Sequence, residues 1–260
     1  MTDLTFTRGG RGEPLVLLHG IGASKSAWRP VLDGLAERFD VIAVDLPGFG
    51  DSPELPAGVE PVPAALAAAV AAFLDRLGIG TFHIAGHSLG AWVALETAKL
   101  REARSVTLLC PAGLWGRRSP WYAQAGIWAS RWLTRKATGP MLRAVSTAAG
   151  RTAVLGQTHG RPWALDAGHA RDTILAMARC PGFEATMRAA SGRRFLDGAG
   201  ITAPVTVAFG ARDLILPTRG SRRLDQLPPT VRTVTLRRCG HVPMNDDPAA
   251  VIDAIASKGS

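Results

Sequence analysis

Cysteine is scarce and scattered. Cys110, Cys180 and Cys239 form an odd set without metal-binding spacing and give no disulfide framework. Long hydrophobic runs are missing too. The longest apolar stretch, residues 62–74, is alanine-rich, too short to span a bilayer and suited to a packed helix. The opening MTDLTFTRGG lacks the basic-then-apolar order of a signal peptide, so a cytoplasmic location is expected. There is no internal repeat, low-complexity tract or flexible linker. The histidines (His19, His83, His87, His159, His169 and His241) show no paired spacing with cysteine or carboxylate, and neither a metal nor another cofactor is expected.

Acid is scarce in one place. Residues 111–200 hold thirteen basic and four acidic residues, and the other positions balance, so the whole net charge of +9 sits in one internal segment. Five of the seven tryptophans lie there as well: Trp115, Trp121, Trp128, Trp132 and Trp163. Such a shift marks an insertion with its own surface chemistry. Trp121, Ala125, Trp128 and Trp132 recur at i, i+4, i+7 and i+11, one face of a helix. That face is expected to pack on the main domain or to roof a pocket. The densest basic cluster, Arg117, Arg118, Arg131, Arg135, Lys136 and Arg143, is expected to concentrate anions near the entrance or to form a solvated face.

The flanks alternate strand and helix signals. Residues 14–18, 39–44, 81–85, 105–110, 204–209 and 231–236 read as buried strands. Residues 27–38, with Ser26 as N-cap, and 63–77, 91–99, 218–227 and 248–257 read as helices. Continuous apolar strands separated by helices imply an α/β fold with a mostly parallel sheet covered on both faces. Active groups are expected at the carboxyl ends of the strands.

Gly86-His87-Ser88-Leu89-Gly90 reads G-x-S-x-G between a strand and a helix, the context in which the pattern carries a mechanism. The turn strains its central residue, lifts the Ser88 hydroxyl clear of the sheet, and leaves the Leu89 amide free at a helix N-terminus. A serine hydroxyl needs a base, and the base needs an acid to fix its tautomer. Asp213, in GARDLILP, and His241, in RRCGHVPMNDDP, each follow a strand, giving the chain order Ser, Asp, His. Asp246 and Asp247 are expected to cap the last helix ahead of Pro248. His19-Gly20-Ile21-Gly22 also follows a strand, and the Ile21 amide pairs with that of Leu89 as a candidate oxyanion hole.

The stretches LVLLHGIGASKSAW, VIAVDLPGFGDSP, FHIAGHSLGAWVALE, VTVAFGARDLILP and RRCGHVPMNDDP resemble the α/β-hydrolase fold superfamily over roughly two thirds of the chain. The resemblance implies an eight-stranded sheet with a helical cap inserted after the sixth strand. Residues 1–110 and 201–260 would form the core and 111–200 the cap. It also implies Ser88 as nucleophile, His241 as base and Asp213 as acid. A serine nucleophile disfavours the aspartate-nucleophile dehalogenases and epoxide hydrolases. Val242-Pro243-Met244 after the histidine departs from the tryptophan that C–C bond hydrolases of ring-cleavage products usually carry there.

These readings lead to a serine esterase acting through an acyl-enzyme on a small-molecule ester, with an anionic ester favoured if the basic cluster steers substrate. His87, Trp121, Trp128 and Trp132 are expected to contact substrate. Two alternatives stay open: hydrolysis of a C–C bond in a vinylogous diketone acid, and a small-ligand binding protein that retains the three residues without turnover. Neither a nucleic-acid partner nor a membrane span is expected. The sequence leaves the oligomeric state open.

Overall fold

Strands that are apolar on both faces must be covered on both faces. The computed structural model describes residues 3–116, 120–217 and 220–257. Among them the sheet has seven strands: β1 (Phe6–Gly10), β2 (Glu13–Leu18), β3 (Phe39–Val44), β4 (Phe82–His87), β5 (Ala103–Leu109), β6 (Val205–Gly210) and β7 (Arg232–Leu236). Their order is β1-β3-β2-β4-β5-β6-β7. β1 is antiparallel to β3, and the other neighbouring pairs are parallel.

The pleat sorts consecutive residues to opposite faces. Val16, Leu18, Ile42 and Val44 pack with Leu66 and Val70 of α2 (Pro63–Arg76) and with Val93 and Leu95 of α3 (Leu89–Leu100). Their neighbours Leu15, Leu17, Val41 and Ala43 pack with Val31 and Leu35 of α1 (Arg29–Ala36), and with Val251 and Ile255 near the C-terminus. Burying one such side chain contributes about 1.5–3 kcal/mol.

The expected strands and most flanking helices are found within a few residues of their anticipated bounds, but several expectations change. Among the described residues the sheet has seven strands, not eight, and the helical insertion follows the fifth of them, β5, not the sixth. β1 was not anticipated because FTRGG is exposed throughout and has no apolar alternation. It is held as an edge by pairing Phe6 with Val44 through Gly10 with Asp40. The first helix starts later than expected. A 3-10 turn, Lys25–Trp28, precedes α1, and Pro30 falls in the opening turn of α1, where a missing N–H costs nothing. Ser26 does not cap it; its hydroxyl lies 2.8 Å from that of Ser24. Of the helix expected at 218–227, residues 218 and 219 lie outside the described residues, and the rest holds only a 3-10 turn, Leu224–Gln226. Gly220, with Pro228 and Pro229 just beyond, leaves too short a run for a stable helix.

Between β5 and β6 the chain forms α4 (Trp121–Lys136), α5 (Thr138–Ala144), α6 (Ala148–Leu155), α7 (Ala167–Ala178) and α8 (Phe183–Ala190). Met141, Val145, Leu155, Leu165, Ala170 and Ile174 form a small core of their own there. After β7 follow α9 (Pro243–Asp246) and α10 (Pro248–Ala256). No helix among the described residues is long and apolar enough to cross a membrane.

The basic cluster expected on the insertion divides. Arg117 and Arg118 lie outside the described residues, while Lys136 and Arg143 are exposed. Arg131 is buried: its guanidinium donates to Glu184 (3.1 Å), to the Cys180 carbonyl (2.8 Å) and to the Met177 carbonyl. It therefore joins α4 to α7 and α8 instead of facing solvent. Arg131→Gln should lower unfolding stability by roughly 2–4 kcal/mol, because it leaves buried acceptors unpaired. Arg135→Gln, at a 60% exposed side chain, should change it by less than about 0.5 kcal/mol. Urea titration of both variants checks the contrast.

Candidate active site

β4 ends at His87 and α3 begins at Leu89, so one residue makes the whole turn. Ser88 does so with φ 53° and ψ −113°. The space is fixed by its glycine neighbours. A Cβ on Gly86 would lie 2.2 Å from the Gly90 carbonyl oxygen, and one on Gly90 would lie 2.2 Å from that of Leu18. Ser88 is held from both sides: its amide donates to the Leu109 carbonyl (3.0 Å), and its carbonyl accepts from Ala91 (3.1 Å) and Ala112 (3.0 Å). Leu89 is the first residue of α3, so its N–H has no carbonyl one turn back to bond.

Asp213 follows β6 and His241 follows β7, which brings both beside the elbow. His241 Nδ1 lies 2.9 Å from Asp213 Oδ2, and Nε2 lies 3.0 Å from Ser88 Oγ. With the Nδ1 hydrogen given to the carboxylate, Nε2 is the acceptor for the Ser88 hydroxyl. All three residues are buried. Burial alone would raise the Asp213 pKa. The His241 charge and hydrogen bond, with the Leu216 and Ile215 amides on Oδ1 (2.9 and 2.8 Å), outweigh it and hold the carboxyl below its usual range.

His87 lines the cavity beside Ser88, as expected of a contact residue, but its Nε2 is already engaged. That nitrogen donates to the His241 carbonyl at 2.7 Å, and the two rings lie 5.1 Å apart. Burial, and then the nearby His241, push the His87 pKa down to about 3, so the ring stays neutral. Across the site, His19 shapes the loop after β2. Its Nδ1 donates to the Gly20 carbonyl (2.8 Å) and its Nε2 accepts from the Leu46 amide (3.1 Å). Ile21, two residues on, borders the space in front of Ser88.

The tryptophan face does not roof this space. Trp121 is 79% and Trp132 63% exposed, and Trp128 packs edge-on against Phe183 with ring centres 5.4 Å apart. The face of α4 over the cavity carries Ala123, Ile127 and Ser130 instead. A hydrophobic stripe announces a helix, but its largest members do not say which side is inward. Cys110 Sγ comes close to Asp213 and His241, within 4.8 Å. Burial keeps this thiol protonated well beyond its ordinary pKa, and it lies 3.6 Å from the Gly240 carbonyl and 3.4 Å from the Gly210 amide. With His241 Nδ1 engaged by Asp213, the trio is a hydrogen-bonded cluster and a poor donor set for a metal.

One residue has a larger part than its sequence position implied. Asp247 caps α10 as expected, accepting from the Ala250 amide at 3.2 Å. Asp246 does not. Its buried carboxylate accepts from the amides of Gly240 (2.7 Å), Gly160 (2.7 Å) and Arg161 (2.8 Å). Gly240 precedes His241, whereas Gly160 and Arg161 belong to the segment between α6 and α7. The two backbones touch: a Cβ on Gly160 would lie 2.7 Å from the Gly240 nitrogen. The Val242 amide adds a bond to the Thr158 carbonyl (3.0 Å). Asp246 thus pins the insertion to the His241 loop. Nothing local in NDDP marks it, because its partners lie six and 85–86 residues away.

The chain belongs to the alpha/beta hydrolase family, whose model matches residues 15–254. A pimeloyl-[acyl-carrier protein] methyl ester esterase of Aeromonas hydrophila is 31% identical over 97% of this chain and 98% of its own length. A dihydrolipoyllysine-residue acetyltransferase component of the acetoin cleaving system from Cupriavidus necator is 40% identical over 41% of the chain; the match spans only 28% of that longer relative. Among solved structures, a thermophilic esterase from Thermogutta terrifontis shares the fold with a TM-score of 0.74 at 21% identity, covering 98% of this chain and 92% of its own.

The adjacent aspartates separate a pin from a cap. Asp246→Ala strands one buried and two part-buried donors and should cost about 3 kcal/mol of unfolding stability. Asp247→Ala removes one helix cap and should cost about 1 kcal/mol. Chemical denaturation of the two variants measures the difference, and equal costs would deny Asp246 its special place.

Proposed function

We propose that this protein is a serine hydrolase that cleaves a carboxylic ester through an acyl-enzyme. The observation that carries the reading is the unbroken chain Asp213–His241–Ser88, with links of 2.9 and 3.0 Å, ending on a strained elbow that faces a cavity. Ser88 Oγ attacks the carbonyl carbon while His241 Nε2 takes its proton. Asp213 holds the ring in the required tautomer and stabilises its charged form. The amides of Ile21 and Leu89 receive the oxyanion, each such donor being worth about 10²–10³ in rate. His241 then protonates the departing alkoxide; the same nitrogen next deprotonates a water that attacks the acyl carbon, and returns that proton to Ser88 Oγ as the acid leaves.

An ester as the bond class is supported by the name of the Aeromonas relative, which matches almost end to end. Residues 111–200 serve in this reading as a cap over the cavity. With Arg131 paired inside, support for an anionic ester rests on the exposed Arg135, Lys136 and Arg143.

Ser88→Ala should lower turnover of a p-nitrophenyl short-chain ester by about 10⁴-fold or more, and His241→Ala by a similar factor. Full activity in the Ser88 variant would end the reading. Turnover of a dienoate with none of any ester would move it to C–C bond hydrolysis. The pH profile supplies a second check. Asp213 stays ionised and His87 stays neutral between about pH 5 and 8, so neither adds a proton-linked step there, and the acid limb of kcat/KM should have a slope no steeper than one. A slope of two on that limb would require another titrating group.

A further inference from the structure

The cavity over Ser88 has two arms, which share Ile21, Ser88, Ile127 and Ile215 at their junction. Beyond it their chemistry differs. One arm holds about 540 Å³ of empty space, mouth included, and runs past Leu89 between Trp92, Trp115, Ala123, Met187 and Leu216. The polar atoms of its wall are engaged elsewhere. Trp92 Nε1 donates to Glu96 (3.1 Å), Trp115 Nε1 to the Arg193 carbonyl (2.8 Å), and the Ser191 hydroxyl to Gln124 (3.2 Å). The Ser191 lone pairs and the Gln124 amide are the polar exceptions on a wall that a guest otherwise meets mostly as carbon.

The other arm, about 940 Å³ with its mouth, passes His241; its wall is largely apolar, with Ala27 and Met177 in it, but it is the more polar of the two because Ser24, Ser26, Thr173 and Asn245 border it. The Ser24 and Ser26 hydroxyls lie 2.8 Å apart, and a bonded pair uses only one of its two hydrogens. One O–H and several lone pairs remain for a guest. Thr173 donates to the His169 carbonyl (2.9 Å) and keeps its own lone pairs as acceptors.

The route of the proton decides which half of an ester enters which arm. The leaving oxygen must sit where His241 Nε2 can protonate it. Nε2 lies 3.0 Å from Ser88 Oγ, and His241 borders the polar arm but not the apolar one. Leu89, proposed above as an oxyanion donor, borders only the apolar arm. The acyl half therefore extends into the apolar arm and the alcohol half into the polar one. Resting on the ester hydrolysis proposed above, we infer that the substrate joins an apolar acyl group to an alcohol that carries further hydrogen-bonding groups.

Two isomeric esters test this on the unaltered protein. 2-Hydroxyethyl butanoate carries its extra hydroxyl on the alcohol half. Propyl 3-hydroxypropanoate carries it on the acyl half, at the same two-carbon distance from the ester. p-Nitrophenyl butanoate is measured beside them. The first isomer should exceed the second in kcat/KM by about tenfold or more, since one arm satisfies the hydroxyl and the other strands it. Ala190→Phe, which fills the apolar arm, should lower kcat/KM for p-nitrophenyl butanoate more than for the acetate. A ratio near one or inverted, or no turnover of either isomer while the nitrophenyl ester is cleaved, overturns the inference. Absence of nitrophenyl ester cleavage is a different result: it removes ester hydrolysis itself, and the assignment of the arms with it.

Discussion

The architecture around the site depends on one residue turning the chain through left-handed space. Ser88 has no room to do otherwise, because β4 stops and α3 starts on either side of it. Strain of this kind costs on the order of 1–3 kcal/mol and persists only where the surroundings over-determine it. Here the next strand does part of the holding. Cys110, just past the end of β5, also has a positive φ, 45°, and its amide bonds the Ala208 carbonyl of β6 (2.8 Å). The Ser88 amide bonds Leu109, and Ala112 bonds back to Ser88. Two neighbouring strands thus leave the sheet through matched left-handed turns, each tied to the next strand along.

How much of this was legible in the sequence follows from the range of each interaction. The elbow was legible because its sterics involve Gly86 and Gly90, each only two residues from the serine between them. Asp213 and His241 were legible because a strand followed by a short loop fixes where the next side chain emerges. β1 was not, since its stability comes from pairing with β3 and its own residues are exposed. The eighth strand and the insertion point were carried by resemblance alone, and there the fold differs. The tryptophans of α4 gave the helix but the wrong inward face, because size and spacing do not record which side meets a cavity. Arg131 looked like surface charge until Glu184, 53 residues on, was brought to it.

The polar groups around His241 divide a single task. Asp213 sets the ring's tautomer, His87 holds its backbone carbonyl, and Asp246 holds the amide of the residue before it. Each does so without adding a cation beside the imidazole: two are carboxylates, and the third is a histidine too deeply buried to take a proton near neutrality. A positively charged neighbour in any of these places would oppose protonation of His241 by like-charge repulsion.

The contact between Gly160 and Gly240 bears on how such chains can exchange parts. An insertion joined only at its two ends is a module, replaceable by any helical segment that fits the same gap. This one is also fastened in its middle, where two glycines lie back to back and a carboxylate from beyond the final strand gathers amides from both sides. A donor segment lacking a glycine at position 160 would push on the loop carrying His241, however well its ends were joined. Helical segments grafted onto this core are therefore filtered by a backbone clearance of less than 3 Å, far along the chain from either splice point.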